Sequence, residues 1–315
     1  MQVVRDLTQV PVGLPYPVVT LGNYDGVHVG HQEIFRRLRT RATEHGGTAI
    51  VFTFDPHPLK VLAPERCPPI MVTCEQKIAL IEAHGIDMVV CQPFAAEFAS
   101  QAPSEFVRDY LVRGLGARLV IVGYDYSFGR DREGTIDHLR ELGLEYSFDL
   151  EVVEPIYVDG EIVSSTRVRR LITEGHLREA NRCLGRPYSI AGRVIHGDHR
   201  GRKLGFPTAN IRSTDELLPA RGVYAIRVRW RGKFFDGVLN VGVNPTFERR
   251  EVTIEPHIFN FHADIYDETI EVFFIKRLRP EQKFSSAEAL VAQIEKDVAE
   301  AQQLLTENPD PFTVL

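Results

Sequence analysis

The sequence is poor in sulfur and in tryptophan, with four cysteines, three methionines and one tryptophan in 315 residues. Cys67, Cys74, Cys91 and Cys183 form no CxxC pair and no spacing typical of zinc ligands. That pattern excludes a disulfide framework and reads as buried or incidental thiols in a reducing cytoplasm. No run of about 20 apolar residues occurs, so no membrane span is expected. The opening residues Met1-Gln-Val-Val-Arg-Asp6 lack the apolar stretch of a signal peptide. Positive charge is not in excess either: 37 Lys and Arg against 43 Asp and Glu leave a net charge of −6. A general nucleic-acid binder favours a basic surface, so nucleic acid is not an expected partner. The longest basic cluster, His199-Arg-Gly-Arg-Lys203, is short and reads as a phosphate-facing or solvated loop. The chain also has no GxxxxGK[ST] segment, which sets aside the usual P-loop fold.

What is present suffices for packed cores: the hydrophobic fraction is 43%, and the length suits two domains. Up to about residue 155, compact apolar runs alternate with helical stretches. Thr48–Phe54, Asp87–Cys91 and Ala117–Val122 read as strands, Gln76–Glu82 and Ser104–Leu111 as helices. Such alternation argues for a parallel sheet covered on both faces. Short helices follow in 166–183, and Leu184-Gly-Arg-Pro-Tyr188 interrupts them as a linker. The expected domains are therefore 1–183 and 184–315. In the second, Tyr224, Ile226, Val228 and Trp230 alternate with Ala225, Arg227 and Arg229, a strand with one wet face. Ile270, Val272 and Phe274 repeat the pattern, suggesting a small antiparallel barrel. Ser285-Ser-Ala-Glu288 reads as a capping box opening a last helix, whose apolar stripe is Leu290, Val291, Ile294, Val298, Ala301 and Leu305.

The most informative segment is Gly22-Asn-Tyr-Asp-Gly-Val-His-Val-Gly-His31. It follows the apolar run Pro17–Leu21 and precedes a stretch in which Ile34, Leu38 and Ala42 recur at helical spacing. Open α/β sheets bind ligands where a strand ends and a helix begins. A helix start there offers free N–H groups and partial positive charge to a phosphate. Read from these residues alone, His28 and His31 fit phosphate chemistry and equally fit polar residues at an exposed helix start.

GNYDGVHVGH resembles the HxGH signature of nucleotidyltransferases, and in its wider form the FMN adenylyltransferase half of the bacterial bifunctional riboflavin kinase/FAD synthetase family. Three further segments match that half in order: Val51-Phe-Thr-Phe-Asp-Pro-His-Pro58, Gly123-Tyr-Asp-Tyr-Ser-Phe-Gly-Arg-Asp-Arg-Glu-Gly134 and Val163-Ser-Ser-Thr-Arg-Val-Arg169. The second half resembles the riboflavin kinase part through Gly201-Arg-Lys-Leu-Gly-Phe-Pro-Thr-Ala-Asn210, Gly222-Val-Tyr-Ala225, Asn240-Val-Gly-Val-Asn-Pro-Thr246 and Ile254-Glu-Pro-His-Ile-Phe-Asn-Phe261. Two departures stand out. Tyr24 occupies a position where the family usually has Phe, and Asp267 one where Gly is usual.

The resemblance implies an α/β chain: an N-terminal Rossmann-like nucleotidyltransferase domain and a C-terminal antiparallel β-barrel kinase domain with a terminal helix. It implies that riboflavin, FMN and ATP are the substrates, with FMN and FAD as products and Mg²⁺ as cofactor. In the first half, His28 and His31 would be catalytic. Gly22, Asn23 and Gly30, with Ser164, Ser165, Thr166 and Arg169, would bind ATP. Pro56, Pro58, Asp125 and Phe128 would contact flavin; Asp125 also fits a turn and Phe128 a core aromatic. In the second half, Glu255 matches the family's catalytic glutamate, while Gly201, Gly205, Thr208 and Asn210 would bind ATP. Thr208 and Asn210 supply the oxygen ligands that Mg²⁺ prefers.

Overall fold

The computed structural model describes residues 1–196, 205–213, 217–245, 250–310 and 312. The chain divides into two compact units, Met1–Ser164 and Ser165–Leu315.

The first unit runs β1 (Gln2–Val4), β2 (Pro17–Leu21), α1 (Val29–Glu44), β3 (Thr48–Asp55), α2 (Pro58–Leu62), α3 (Cys74–Glu82), β4 (Met88–Pro93), α4 (Ala96–Ala99), α5 (Pro103–Phe106, continued as a π-helix over Val107–Gly114), β5 (Leu119–Gly123), α6 (Ile136–Tyr146) and β6 (Asp149–Val153), then the hairpin β7 (Tyr157–Val158) and β8 (Glu161–Ile162). Its sheet is parallel and six-stranded, in the order β1-β4-β3-β2-β5-β6. The central strands β2, β3 and β5 are mostly apolar and buried because both faces are covered. Val19, Leu21, Ile50, Phe52 and Val120 enter one core, and Val18, Ala49, Val51 and Ile121 the other. From β2 the chain winds outward through β3 and β4, then resumes on the far side of β2 with β5. That reversal places a crevice at the C-terminal ends of β2 and β5. Helix α1 is tied to β6, as Glu151 accepts from Arg37 at 3.0 Å and from Arg41 at 2.8 Å. One turn into α1, the Arg36 guanidinium on Glu33 draws that carboxyl down to about 2.

The second unit opens with α7 (Ser165–Glu174) and α8 (Leu177–Leu184), followed by β9 (Tyr188–Ile195), β10 (Asn210–Ser213), β11 (Gly222–Trp230), β12 (Lys233–Pro245), β13 (Arg250–Ile258), β14 (Thr269–Pro280) and α9 (Ala287–Glu307). The strands form one antiparallel sheet, ordered β10-β9-β14-β11-β12-β13. Its two edges approach, and the Ala209 N–H donates to the Pro256 carbonyl at 3.0 Å, nearly closing a barrel. The linker expected at 184–188 is a tight connection. Gly185 ends α8 in the left-handed region at φ +66°, and the Asn181 side chain joins the Tyr188 N–H at 2.8 Å to the Phe274 carbonyl at 3.0 Å. By their contacts α7 and α8 group with the barrel, although the sequence pattern places 165–183 with the first half.

Two expectations are corrected here. The second face of β11 is wet only at its end, where Arg229 is exposed: Ala225 is fully buried and Arg227 only 3% exposed, because α9 covers that stretch through Ala301 and Leu305. Arg227 instead caps the end of α9. Its guanidinium donates to the carbonyls of Leu305 at 2.9 Å, Asp310 at 2.6 Å and Asn308, and to Asp236 at 3.0 Å. The Leu305 carbonyl is one that the helix end leaves without an intrahelical partner, and those of Asn308 and Asp310 belong to the chain leaving the helix. Arg227→Met is expected to lower stability by about 2–4 kcal/mol, since the buried acceptors lose their donor. Urea unfolding followed by circular dichroism checks this. The start of α9 also differs by one residue: the N-cap is Ser286, whose hydroxyl accepts from the Ala289 N–H at 3.2 Å. Ser285 and Glu288 therefore do not form the capping box read from the sequence.

Asp267, where the family usually has Gly, adopts φ +65°. That conformation costs a non-glycine residue about 1–2 kcal/mol. Arg193 compensates by donating to the Asp267 carbonyl and pairing with its carboxylate, both at 3.1 Å.

Candidate active sites

In the first unit, the segment from Gly22 to His31 leaves β2 at the crevice and turns into α1. His28 is the N-cap, and its Nδ1 accepts from the His31 N–H at 3.4 Å. Nδ1 is thereby an acceptor, so the ring proton belongs on Nε2. The imidazoles of His28 and His31 stack, with centroids 3.6 Å apart and planes at 19°. The structure thus brings together the two histidines at a helix N-terminus, where anionic charge is favoured. Gly30 lets the first turn pass the His28 ring, because a Cβ there would lie 3.2 Å from it.

The turn is held from beneath. Tyr24 is buried at φ +51°, with its ring edge-on to His31 at 5.1 Å. Burial raises its phenol pKa. Its hydroxyl lies 2.8 Å from Thr20 Oγ1, which itself donates to the Ile121 carbonyl at 2.6 Å. The threonine proton is committed to that carbonyl, so the phenol is the donor to Thr20. Gly22 lies over the same ring: a Cβ there would come within 2.8 Å of it. Asp25, also buried, accepts from the Met71 N–H at 3.0 Å. The Asn23 side chain is exposed, while its carbonyl is held by Lys77.

Lys77 was not legible as a site residue. Only 8% exposed, it donates from Nζ to Phe54 O at 2.8 Å, Thr53 Oγ1 at 3.1 Å and Asn23 O at 3.3 Å. It therefore couples the turn before α1 to the end of β3, where the Asp55–Pro58 segment begins. Pro56 is exposed and Pro58 half-buried at the first position of α2, whose N-cap His57 accepts from the Leu59 N–H at 3.2 Å. Asp125 lies exposed in the turn after β5. Phe128 is buried beside Tyr126 and Phe106, and its backbone bridges Gly134. Ser164 closes the first unit. Ser165, Thr166 and Arg169 lie in the first turns of α7, with Thr166 exposed and Arg169 half-buried.

In the second unit, Thr208 and Asn210 lead into β10 beside β13, held there by the bond from Ala209 to Pro256. Glu255 is half-buried in β13, opposite Asn240 of β12. Residues alternate across a strand, so Glu255 and His257 share one face and Pro256 and Ile258 the other. A cavity of about 210 Å³ lies between Thr208 and Tyr266, with Pro207, Pro256, Ile258 and Phe261 in its wall. His257, another residue to which the sequence assigned no role, has Nδ1 2.8 Å from the Pro207 carbonyl, next to Thr208. Gly205 is exposed at φ +89°. Gly201, the basic cluster 199–203 and Thr246 lie outside the described residues.

The donors offered by Thr208 and Asn210 are a hydroxyl and an amide oxygen, hard neutral ligands that fit Mg²⁺ rather than a soft metal. A different set lies in the first unit: one ligand atom each from Asp55, Cys74 and Cys91 falls within 4.8 Å of the others. Among the described residues no helix is long and apolar enough to cross a membrane.

A parallel sheet with histidines at its crevice, joined to a barrel with an oxygen-rich strand start, defines a two-part nucleotide-dependent transferase. A family model for FAD synthetase matches residues 14–167, and one for riboflavin kinase matches 184–305. The chain is 41% identical to a bifunctional riboflavin kinase/FMN adenylyltransferase of Pseudomonas fluorescens, over 96% of this chain and 98% of that one. It is 36% identical to the protein of the same name from Escherichia coli, over 91% and 92%. A crystal structure described as a macrolide-efflux protein from Streptococcus pneumoniae superposes with a TM-score of 0.85 at 32% identity, covering 97% of this chain and 98% of that one. The chain belongs to the bifunctional riboflavin kinase/FMN adenylyltransferase family.

Proposed function

We propose that the chain makes FAD in two steps, with riboflavin phosphorylated in the barrel unit and FMN adenylylated through the HxGH turn, the two activities dividing at 183/184. The observation that carries the first-unit reading is the His28–His31 pair, stacked at the start of α1. In adenylyl transfer, an oxygen of the FMN phosphate attacks the α-phosphorus of ATP and the bond to the β-phosphate oxygen breaks. The nucleophile is already ionised, so the task is to stabilise charge on the α-phosphate and on departing pyrophosphate. His28 Nε2–H and His31 serve as donors there. The backbone around Gly22, Asn23 and Gly30 admits the nucleotide, and Ser164, Ser165, Thr166 and Arg169 receive its outer phosphates. Pro56, Pro58, Asp125 and Phe128 form the flavin side, with Phe128 acting from within the core.

In the kinase step the riboflavin 5′-hydroxyl is neutral. Glu255 accepts its proton as the oxygen bonds to the γ-phosphorus and ADP leaves. Thr208 and Asn210 would hold Mg²⁺, which would offset phosphate charge, and the family resemblance assigns Gly201 and Gly205 to ATP binding. Both reactions suit a reducing cytoplasm.

A chromatographic time course with riboflavin, ATP and Mg²⁺ tests the reading. FMN should appear first and FAD later. FMN without FAD would remove the adenylyltransferase assignment, and flavin bound without any product would leave a flavin-binding protein.

A further inference from the structure

Cys74 and Cys91 are 17 residues apart in sequence and meet in the fold, with their sulfurs 3.5 Å apart. Cys91 is in β4, paired with Thr53 of β3 and 1% exposed. Cys74 is the half-buried first residue of α3. The start of that helix is fixed by a full capping box: Thr73 Oγ1 accepts from the Gln76 N–H at 3.2 Å, and Gln76 Oε1 from the Thr73 N–H at 2.6 Å. The two thiols are therefore presented to each other by elements that hold their backbones.

From this contact we propose that Cys74 and Cys91 form an oxidation site: a peroxide-class oxidant converts them to a disulfide, and the bond loosens the HxGH turn through Lys77. The effect on the turn rests on the adenylyltransferase reading above; the disulfide itself does not.

Three features favour thiol chemistry here. The S–S bond is about 2.05 Å, so the sulfurs need to close by only about 1.5 Å. Lys77 follows Cys74 by one helical turn, and its ammonium donates to three neutral oxygens; among the described residues no carboxylate pairs with it. The Lys77 ammonium near the pair favours a thiolate, while the Asp55 carboxylate, also near the sulfurs, acts against it. The sulfurs also lie within hydrogen-bonding reach of each other, so a thiol on one steadies a thiolate on the other.

The chemistry balances as follows. The Cys91 thiolate attacks one peroxide oxygen, the O–O bond breaks, and a sulfenic acid and hydroxide form. Cys74 then attacks the Cys91 sulfur and expels its hydroxide. The two hydroxides leave as two waters, taking the Cys74 proton and the proton Cys91 had given up on ionising. Two thiols are oxidised to one disulfide as one peroxide is reduced by two electrons.

Closing the sulfurs pulls the first turn of α3 toward β4. Lys77 lies in that turn, and its ammonium holds the Asn23 carbonyl, five residues before His28. A displacement of about 1 Å in positioning machinery can cost a rate factor of order 10²-fold.

The test treats the full-length protein with hydrogen peroxide, quenches with an alkylating agent and maps peptides by mass spectrometry, with both activities assayed before and after. The expected result is a Cys74–Cys91 peptide pair lighter by two hydrogens, a fall in FAD formation of about tenfold or more, unchanged FMN formation, and recovery with dithiothreitol. Cys74→Ser should give no cross-link and retain FAD formation under peroxide, and Cys91→Ala should do the same. Absence of the cross-link in wild type would overturn the proposal. So would zinc that co-purifies at one per chain and is lost in Cys91→Ala, since the cluster would then be a metal site with Asp55. A cross-link with undiminished FAD formation would overturn the coupling through Lys77. A reduced protein that makes no FAD at all would instead count against the adenylyltransferase reading and leave the cross-link result standing.

Discussion

His28→Asn is expected to reduce FAD formation from supplied FMN by about 10²–10³-fold, the cost of losing one positioned donor to developing charge. FMN formation from riboflavin should be unchanged. Asparagine is the informative replacement because His28 is also the N-cap of α1. Alanine would remove the cap as well, at about 1 kcal/mol, and mix a folding defect with a catalytic one. Asparagine keeps an acceptor for the His31 N–H while deleting the Nε2–H donor. Separate assays of the two half-reactions decide the matter. If the folded variant loses both activities, the assignment of two independent sites fails. If it loses neither, the stacked pair is a structural feature of the helix start.

Glu255→Gln should show the opposite pattern: riboflavin phosphorylation lower by about 10²–10⁴-fold, the range for a general base, and adenylylation of supplied FMN retained. Glutamine matches the side chain in shape, so the ladder position opposite Asn240 is preserved. The placement of Glu255 sharpens the test. It shares a strand face with His257, while the neighbouring Pro256 and Ile258 line the 210 Å³ cavity. The riboflavin hydroxyl must therefore reach the His257 side of β13. Near-normal phosphorylation in Glu255→Gln would eliminate this carboxylate as the proton acceptor, and a group on the cavity side would be sought instead.

Local patterns were legible wherever neighbouring residues decide the structure. The run Pro17–Leu21, the turn to His31 and the spacing of Ile34, Leu38 and Ala42 specify strand, turn and helix from adjacent residues alone. The parallel sheet followed because its central strands are mostly apolar on both faces. What stayed hidden depends on contacts between distant segments. Lys77 is a single lysine on a short helix, and only the fold shows its ammonium among backbone oxygens of Asn23 and Phe54. Cys74 and Cys91 looked isolated because their meeting requires α3 to lie against β4. Alternation along β11 predicts a solvated Arg227 because it carries no information about α9, which arrives more than fifty residues later. In the candidate sites, residue types at motif positions were readable, whereas the hydrogen bonds that orient them were not.

The hydroxyl of Tyr24 imposes an order on sequence change. Its donor bond ends on Thr20, whose own proton serves the Ile121 carbonyl. A chain can exchange Tyr24 for Phe and leave Thr20 still satisfied. Losing Thr20 first strands a buried phenol, at a cost of about 1–3 kcal/mol. Lineages passing between Tyr and Phe at this position should therefore keep a hydroxyl at position 20 for as long as Tyr persists. Either ring forbids a side chain at position 22, where even a methyl would meet it at 2.8 Å. The first few residues of the turn thus drift as a set, and a variant library randomised at 20, 22 and 24 should return these combinations together.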